Sequence, residues 1–523
     1  MKSTFVASLM LLSMGQATHA QYIYWNNHYA EIEEGSAAGS KLFLDTIQGN
    51  FAAIGGSWDG ANTGFEMRNV NNEGIDLGEV YVAGPEPSSG GYGFGNQFFA
   101  KPLDGGYIYC STAIIPDCEY SETAILHKIT ADSTTDWYKK FDEWHADCSS
   151  WSGSNLVKVM PDGRIFLSSY HYFDADTTTT ATWDYNGYRF TTLDADGNIL
   201  SDSLHILEDD FDFHFVNGVV LNDSIVLLAG GVSFIPFYEP DGELLLIKVN
   251  VNDGSFGENY SFPLNENLGC GGWPVTSLRP DGKVNVFYHY CEDEDGNDWS
   301  IFTPHLMLFD PVEMQPVWDQ SYFLPEWDIQ AEGVQAFASK ATSDGGTFST
   351  ISLEGEGFLP KHFLLKTQAS GELDWYHEYF PPIATFPYWN YLFDIIEAPD
   401  SSGFVITGEI SDEEYVPHHW MFHIDPCGDP MWNDCGVGVG ETNAGYTFLI
   451  HPNPTSSVLN VQGVDVIHSI SFKDISGRTV LRHQVNSKSS TLNVSDVSPG
   501  LYLLEADFGN GRVSAQRVVV ERP

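Results

Sequence analysis

The stretch SDGGTFSTISLEGEGFLPKHFLLKTQASGELDWYHEYF, residues 343–380, decides the fold because the rest of the chain repeats its order. It contains a DG turn, an alternating apolar run at 347–351, a second apolar run at 362–366, a Ser-Gly turn at 370–371 and an aromatic run at 375–380. Short β-branched or aromatic runs bounded by Gly, Asp and Ser are typical of strands, and DG supplies the positive φ of tight hairpins. The stretch therefore predicts an antiparallel meander.

The same order recurs along the chain, and counting a weaker first copy gives seven units. The units start near residues 50, 104, 162, 223, 281, 344 and 401. A regular period of this kind indicates a repeat architecture, and small sheets arranged radially around an axis can bury faces that one sheet alone cannot. We predict a seven-bladed β-propeller over residues 21–435, with a β-solenoid or two sandwiches as alternatives.

The strand that closes the ring has two candidates near the start of the chain. In many propellers the first strand completes the last blade. Residues 21–29, QYIYWNNHY, or residues 41–46, KLFLDT, could supply it.

The first twenty residues, MKSTFVASLMLLSMGQATHA, have the layout of a secretory signal peptide. One Lys precedes an apolar run, and small residues precede a cleavage point before Gln21. The apolar run is too short to span a bilayer, and no other segment is apolar for long enough to predict a transmembrane helix. We therefore expect an exported protein whose mature chain begins at Gln21.

The chain has seven cysteines, and in an exported protein these favour disulfides over metal thiolates. We predict pairs between cysteines that are close in sequence and lie within one repeat unit. The pairs are Cys110 with Cys118, Cys270 with Cys291, and Cys427 with Cys435. Cys148 is then left over, either as a free thiol or as a sign that the pairing is wrong.

Charge is distributed unevenly. The chain has 72 acidic and 23 basic residues, for a net charge of −49. From Tyr446 onward there are 6 acidic and 7 basic residues, which leaves 66 and 16 in the preceding part. This acidity argues against nucleic acid or an anionic membrane surface as a partner of the repeats.

No catalytic motif is found, and the only cofactor for which the sequence offers a candidate site is calcium. The run EDEDGND at 292–298 offers several oxygen ligands around a Gly, as hard cations require, although it lacks the full EF-hand spacing. Its candidate ligands are Asp293, Asp295 and Asn297. The shorter run DADGN at 194–198 is more simply a hairpin turn, and the run HHWMFH at 418–423 predicts packed or surface histidines.

A second domain is predicted at the C-terminus. Residues 436–445 are rich in Gly and polar residues, which is linker composition. Residues 446–523 then alternate short strands at 458–461, 470–473, 479–484, 491–494, 501–506 and 513–520, separated by Gly-containing turns. This pattern predicts a small β-sandwich.

The order of motifs in this last segment is specific. PNPT is followed by LNV, then DISGR, then PGLY and a final RVVV. In this order the segment resembles the type A C-terminal sorting domain of the type IX secretion system of Gram-negative Bacteroidota. The residues that carry the resemblance are Pro452, Asn453, Pro454, Gly477, Gly500 and Tyr502.

The resemblance implies a route rather than an activity. A protein of this family reaches the periplasm through its signal peptide, and an outer-membrane translocon recognises its tail. A surface peptidase then removes the tail and links the cargo to lipopolysaccharide or releases it. The resemblance thus implies a secreted or cell-surface protein, with the translocon and the sorting peptidase as partners of the tail. The repeats also resemble units common in secreted proteins of these bacteria.

Two functions are compatible with this organisation. The favoured one is a binding or adhesion propeller that presents loops to a polysaccharide or a protein, so we expect no enzymatic activity. The alternative is an extracellular carbohydrate-active hydrolase or lyase on the same scaffold. Fold alone does not choose between them. Two carboxylates, or a His and a Tyr, converging at the channel mouth would favour the enzyme.

Overall fold

The structure is a computed structural model whose described residues are almost entirely β-strand. It describes residues 25–30, 41–45, 50–58, 62–87, 96–114, 122–141, 150–173, 185–207, 211–234, 243–263, 274–292, 301–322, 333–335, 338–354, 361–379, 391–398, 402–411, 417–428, 448–451, 455, 457–474, 478–495, 497–509 and 512–520. The chain divides into two compact units, Met1–Cys435 and Gly436–Pro523. No helix in the described part is long and apolar enough to cross a membrane.

The strands of the first unit form small antiparallel sheets, numbered here in chain order. The first strand, β1 (Trp25–Ala30), belongs to sheet 7. Sheet 1 contains β2 (Lys41–Asp45), β3 (Asn50–Trp58), β4 (Asn62–Val70) and β5 (Asp76–Pro87). After a 3-10 turn at Asn96–Phe98, sheet 2 contains β6 (Phe99–Ala100), β7 (Tyr107–Ile114), β8 (Glu122–Ile129) and β9 (Thr135–Lys140). Sheet 3 contains β10 (Ser150–Val159), β11 (Ile165–Phe173), β12 (Tyr185–Leu193) and β13 (Ile199–Leu207).

The remaining sheets of this unit follow the same plan. Sheet 4 contains β14 (Phe211–Val220), β15 (Ile225–Phe234), β16 (Glu243–Asn250) and β17 (Phe256–Pro263). Sheet 5 contains β18 (Val275–Leu278), β19 (Val284–Glu292), β20 (Ile301–Asp310) and β21 (Gln315–Ser321). Sheet 6 contains β22 (Gly333–Gln335), β23 (Ser339–Ala341), β24 (Thr347–Glu354), β25 (Lys361–Thr367) and β26 (Leu373–Tyr379). Sheet 7 contains β27 (Tyr391–Glu397), β28 (Phe404–Ser411) and β29 (Pro417–Ile424).

The meander predicted from residues 343–380 is confirmed by β24, β25 and β26. Each predicted unit nevertheless begins one strand late. The DG turns join the first strand of a sheet to its second, as Gly345, with a φ of 82°, does between β23 and β24. A further strand therefore precedes every unit. These seven preceding strands, β2, β6, β10, β14, β18, β22 with β23, and β27, are called the inner strands below.

The sheets are arranged as the blades of a β-propeller. Each sheet contacts the next, and β2 of sheet 1 contacts β27 of sheet 7, so the contacts close a ring. A separate cluster of buried apolar residues lies between each pair of neighbouring sheets. The described residues form seven such sheets, while the number of blades in the whole chain stays a prediction.

The ring is closed by the first of the two candidate strands. Strand β1 pairs with β29 in antiparallel register, with Trp25 opposite His423 and Ala30 opposite His418. The second candidate forms β2 and is the inner strand of sheet 1. Pairing β1 with β29 joins the two ends of the first unit in one sheet and covers the edge of β29, with β1 as the outer strand.

A recurring contact holds the outer part of each sheet to its neighbour. The Tyr322 hydroxyl donates to the carbonyl of Gly371 in the next sheet at 2.7 Å, and the Tyr29 hydroxyl of β1 donates to the carbonyl of Gly74 at 2.8 Å. Gly371 has a φ of 87°, and a Cβ built there would lie 2.8 Å from the Trp318 ring. The Gly of the repeat is thus required by both its φ and the approach of a neighbouring aromatic side chain. Strand β1 makes the contact that an outer strand makes elsewhere in the ring.

The second unit has its own apolar core. It contains β30 (Phe448–His451), β31 (Val458–Asp474), β32 (Thr479–Asn493), β33 (Gly500–Gly509) and β34 (Arg512–Val520), with the order β30-β31-β33-β34 and β32 paired with β31. The prediction of separate strands at 458–461 and 470–473, and at 479–484 and 491–494, is wrong. Each pair is one long strand, because the register shifts between Gln462 and Ser469 bend β31 without a turn.

Candidate functional site

Four charged side chains from four sheets meet at the centre of the ring. Lys41, Lys158 and Lys340 lie on the inner strands β2, β10 and β23, and Asp394 lies on the inner strand β27. The charges of all three lysines and of Asp394 act on one another. Sheet 3 is adjacent to none of sheets 1, 6 and 7 in the ring, so Lys158 reaches the other three across the axis. These four residues are called the lysine cluster below.

Asp394 is the anionic centre of the lysine cluster. Its side chain is fully buried, and its carboxylate lies 3.1 Å from Lys340 Nζ and 3.5 Å from Lys41 Nζ. The backbone N–H of Leu42 donates to Asp394 Oδ2 at 3.0 Å. Burial opposes ionisation, but the two ammonium groups and this N–H outweigh it and hold the pKa of Asp394 below its usual value.

A bulge in the inner strand brings this carboxylate to its position. The register of β27 against β28 shifts between Leu392 and Asp394, which leaves Phe393 as the extra residue. Inner strands β10 and β14 carry the same irregularity, between Ser154 and Leu156 and between Phe215 and Asn217. Bulges redirect side chains, and here one sits directly before the charged residue.

Lys158 faces the same charges but has no ion-pair partner. Among the described residues it makes no hydrogen bond or ion pair. Burial, together with the nearby charges of Lys41 and Lys340, lowers the pKa of Lys158 to about 7. Burial also lowers the pKa of Lys41 to about 8, although Asp394 opposes the shift. With three amines and one carboxylate, the lysine cluster holds more positive than negative charge when its lysines are protonated.

Cys110 lies close to Lys158, and its predicted disulfide is wrong. The side chain is a free thiol with no exposed surface, packed between sheets 2 and 3 beside Ala124, Leu126 and Val157. Burial raises the pKa of this thiol, so it stays protonated at neutral pH. The β-strand directs Cys110 into the apolar interior, where the hydrophobic environment rather than a disulfide accounts for it.

Several predicted site residues lie outside the described part of the chain. These are the candidate calcium ligands Asp293, Asp295 and Asn297, the cysteines Cys118, Cys270 and Cys435, and the sorting residues Pro452, Asn453, Pro454 and Gly477. The calcium site and the pairs Cys270–Cys291 and Cys427–Cys435 therefore stay predictions. Within the described residues, no group of three or more His, Cys, Asp or Glu side chains could hold a metal ion.

The runs DADGN at 194–198 and HHWMFH at 418–423 have structural roles. Asp194 Oδ1 accepts hydrogen bonds from the backbone N–H groups of Asp196 and Asn198 at 3.0 and 2.9 Å, so it caps the hairpin turn. His419 is fully buried, with its Nε2 lying 3.1 Å from Glu66 Oε1 of sheet 1. The expected packed histidine and hairpin turn are both confirmed.

The two sorting residues that the structure describes have structural roles in the second unit. Gly500 begins β33 with a φ of 155°. The Tyr502 hydroxyl donates to the carbonyl of Ser498 at 2.7 Å, and the Tyr502 ring stacks on Phe472 with centroids 4.9 Å apart. The PGLY motif thus ties the start of β33 to the core of this unit.

The sequence analysis did not find the lysine cluster because it did not find the inner strands. These strands are short or irregular, and they precede the turn that marks each repeat. One signal was present: only 16 basic residues precede Tyr446, and three of them are in inner strands. A lysine in a buried strand of a strongly acidic domain is uncommon enough to single out.

Comparisons with known proteins identify the tail. Residues 449–521 match the family model described as a secretion system C-terminal sorting domain. The comparison with curated proteins finds no match.

Among solved structures, the chain is similar to an α-L-arabinanase of Penicillium chrysogenum, with 11% identity and a TM-score of 0.38 over 63% of this chain and 93% of the other. It is also similar to the β-propeller domain of the Trilobed protease of Pyrococcus furiosus, with 10% identity and a TM-score of 0.37 over 77% of this chain and 100% of the other. A third is the NanB sialidase of Streptococcus pneumoniae, with 11% identity and a TM-score of 0.37 over 76% of this chain and 70% of the other.

These structural similarities are too low to say anything about activity. The sorting domain, in contrast, indicates secretion to the cell surface or the extracellular space. The chain is a β-propeller protein that carries a type IX C-terminal sorting domain at residues 449–521.

Proposed function

We propose that this protein is an exported binding propeller that holds an anionic ligand at the lysine cluster. The observation that carries the proposal is that three amines share one carboxylate at the centre of the ring, and that Lys158 has no ion-pair partner among the described residues. Asp394 is already shared by Lys41 and Lys340 at 3.5 and 3.1 Å. A ligand carboxylate or sulfate would supply the missing negative charge, and desolvation strengthens such charge-assisted contacts.

The charge of the rest of the first unit makes this site selective. With 66 acidic and 16 basic residues before Tyr446, the surface repels polyanions over long distances. The lysine cluster is a local region of positive charge within this negatively charged unit. We therefore propose a ligand with one anionic group at the point of contact, such as an acidic sugar at the end of a polysaccharide, rather than a dense polyanion.

The enzyme alternative has one observation in its favour. A lysine whose pKa is lowered to about 7 can accept a proton at neutral pH, as the base of a lyase must. Against this, Asp394 is the only carboxylate in the lysine cluster, and two ammonium groups keep it ionised. A glycoside hydrolase of the usual kind needs one carboxyl group protonated and one ionised. The binding function is therefore favoured.

Binding and turnover can be tested in one experiment. The exported chain is titrated with glucuronate and, separately, with glucose by calorimetry. It is also incubated with a 4-O-glycosylated glucuronate, which carries the leaving group that β-elimination needs, while ultraviolet absorbance monitors unsaturated products. We expect glucuronate to bind and glucose not to bind. We also expect no products to form, and Lys340→Met to weaken binding about tenfold or more, because one charge-assisted contact is lost.

Lys248→Met is the matched control. Lys248 Nζ lies 2.5 Å from Glu258 Oε2 on the outer strands of sheet 4, and its loss should leave binding unchanged. Equal binding of glucose and glucuronate, or an equal loss in the Lys248 variant, would contradict the proposal. Product formation that depends on Lys158 would support the lyase instead.

A further inference from the structure

Lys158 differs from the other two lysines of the cluster in what it contacts. Lys41 and Lys340 both lie beside the Asp394 carboxylate. Lys158 belongs to a sheet on another side of the ring and has no hydrogen-bond or ion-pair partner among the described residues. Two lysines of the cluster are therefore held as ammonium groups, and the third is free to act as an amine.

The net charge of the lysine cluster indicates the charge of a ligand that would fit it. Two ammonium groups and one carboxylate leave a single positive charge when Lys158 is neutral. One ligand carboxylate balances that charge. Lys158 interacts electrostatically with the same charged groups from across the axis, so its amine belongs to the same site.

We infer that Lys158 is a nucleophilic amine that forms an imine with a small aldehyde or ketone carrying one carboxylate, which Lys41 and Lys340 bind. This inference rests on the proposed function and narrows its ligand class to oxo acids. The Nζ lone pair forms a bond to the carbonyl carbon, and the carbonyl oxygen takes up a proton. The resulting carbinolamine loses that oxygen as water to give the imine, so no oxidant or reductant is consumed.

The protonation states of the surrounding groups agree with this role. The charged or titratable groups that act on Lys158 are Lys41, Lys340, Asp394 and Cys110. The pKa of Lys158 is lowered to about 7 and that of Lys41 to about 8. Between these values Lys158 is largely unprotonated while Lys41 is still charged. Imine formation should therefore increase as the pH rises through about 7 and decrease above about 8, where Lys41 loses its charge.

The test uses glyoxylate as the probe, an aldehyde with one carboxylate. The full chain is incubated with glyoxylate and cyanoborohydride, which reduces an imine to carboxymethyl-lysine, and the modified lysines are located by peptide mass spectrometry. We expect Lys158 to be labelled at least about tenfold faster than Lys248, because the pKa of Lys158 is lowered to about 7, whereas the Lys248 amine is ion-paired with Glu258. Glycolaldehyde, which has no carboxylate, should label Lys158 at least about tenfold more slowly than glyoxylate does.

Two variants test the two parts of the inference one at a time, namely the nucleophilic amine of Lys158 and the binding of the ligand carboxylate. Lys158→Arg should abolish the fast label, since a guanidinium does not form this adduct. Lys340→Met should reduce glyoxylate labelling at Lys158 by a larger factor than glycolaldehyde labelling, because it removes a contact to the ligand carboxylate as well as a charge that lowers the pKa of Lys158. Should either variant fail to fold, competition by acetate in the unaltered chain replaces it, and acetate should slow glyoxylate labelling of Lys158 but not of Lys248.

Equal labelling of Lys158 and Lys248, or equal labelling by the two aldehydes, would overturn the inference. Glucuronate binding without a glyoxylate adduct would mean that the imine is wrong and the proposed function is right. Absence of both glucuronate binding and the glyoxylate adduct would mean that the proposed function is wrong as well.

Discussion

The spaces between the sheets and the centre of the ring are built from the same strands but differ in chemistry. Between sheets 6 and 7, buried aromatic and aliphatic side chains such as Phe348, Leu364, Ile406 and Trp420 pack together without exposed surface. At the centre, the inner strands bring three lysines and a fully buried aspartate together. The first arrangement recurs between every pair of neighbouring sheets, whereas the second lies at one place. The repeated apolar packing between sheets therefore accounts for the stability of the fold. The lysine cluster, which is not repeated, marks the candidate site.

The energetics of the two regions are opposite in sign. Burying apolar surface between sheets stabilises the fold by about 25 cal/mol for each Å² removed from water. Burying the amines of Lys41 and Lys158 instead costs free energy, as their lowered pKa values indicate, although the ion pairs of Asp394 outweigh the cost of burying its carboxylate. A buried charged cluster that does not add stability is a candidate for function on these grounds alone.

The largest expected effect comes from the space between sheets 6 and 7. Phe348→Ala should lower the free energy of unfolding by about 3–5 kcal/mol, because it leaves a cavity. The Phe348 ring lies 4.4 Å from that of Phe404 and 5.2 Å from that of Trp375, so neighbours on both sheets lose contacts. Urea denaturation followed by fluorescence measures the change. Ile206→Ala on β13, where the side chain is 55% exposed, is the control and should change stability by less than about 0.5 kcal/mol.

A smaller effect is expected at the centre of the ring. Asp394→Asn should destabilise the chain by about 2–3 kcal/mol, because it leaves Lys41 and Lys340 close together without a carboxylate. Adding Lys340→Met to this variant should restore part of the loss, since it removes one of the two like charges. Urea denaturation of the single variants and of the double variant gives the coupling free energy between Asp394 and Lys340. If Asp394→Asn were as stable as the unaltered chain, the ion pairs would contribute nothing to the fold.

The smallest effect is a gain in stability. The pKa of Lys158 is lowered from 10.5 to about 7 on folding, so between these values the unfolded chain binds more protons than the folded one. Stability should therefore rise with pH across this window. Lys158→Met removes the cost of the buried amine and should stabilise the chain by about 1 kcal/mol at pH 7, after allowance for solvent screening. The gain should vanish near pH 10.5, and denaturation at several pH values between these limits checks the slope.

Most of the fold could be predicted from residues that are close in sequence. The alternation in 347–351, the DG turns and the later aromatic run specify three strands of each sheet through local hydrogen bonding and side-chain periodicity. Most inner strands escaped prediction for one of two reasons: β10 and β14 are ten residues long but are interrupted by bulges, whereas β22 and β23 are only three residues each and β6 only two. Strands this short carry no readable period, and only their pairing with the next strand defines them.

The lysine cluster escaped prediction for the same reason. Lys41 and Asp394 lie at opposite ends of the first unit, and neither belongs to a motif. The sorting domain was found because its motifs lie in a fixed order within fewer than about 80 residues. Its predicted strands were nevertheless too short. Strand β31 continues through a register shift that includes Gly463, and β32 continues past Asn486, which has a φ of 50°, instead of ending there in a turn.

The sequence by itself determined that this protein is an exported chain of repeated β-meanders with a secretion sorting domain, because turn chemistry, periodicity and short motifs are local properties. The tertiary structure alone decided which N-terminal strand closes the ring, where the inner strands lie and which charges meet at the centre. These features depend on closing the ring, which brings Lys41, Lys158, Lys340 and Asp394 within range of one another. Electrostatic interactions depend on distance in space, and that distance is set only when the last sheet meets the first.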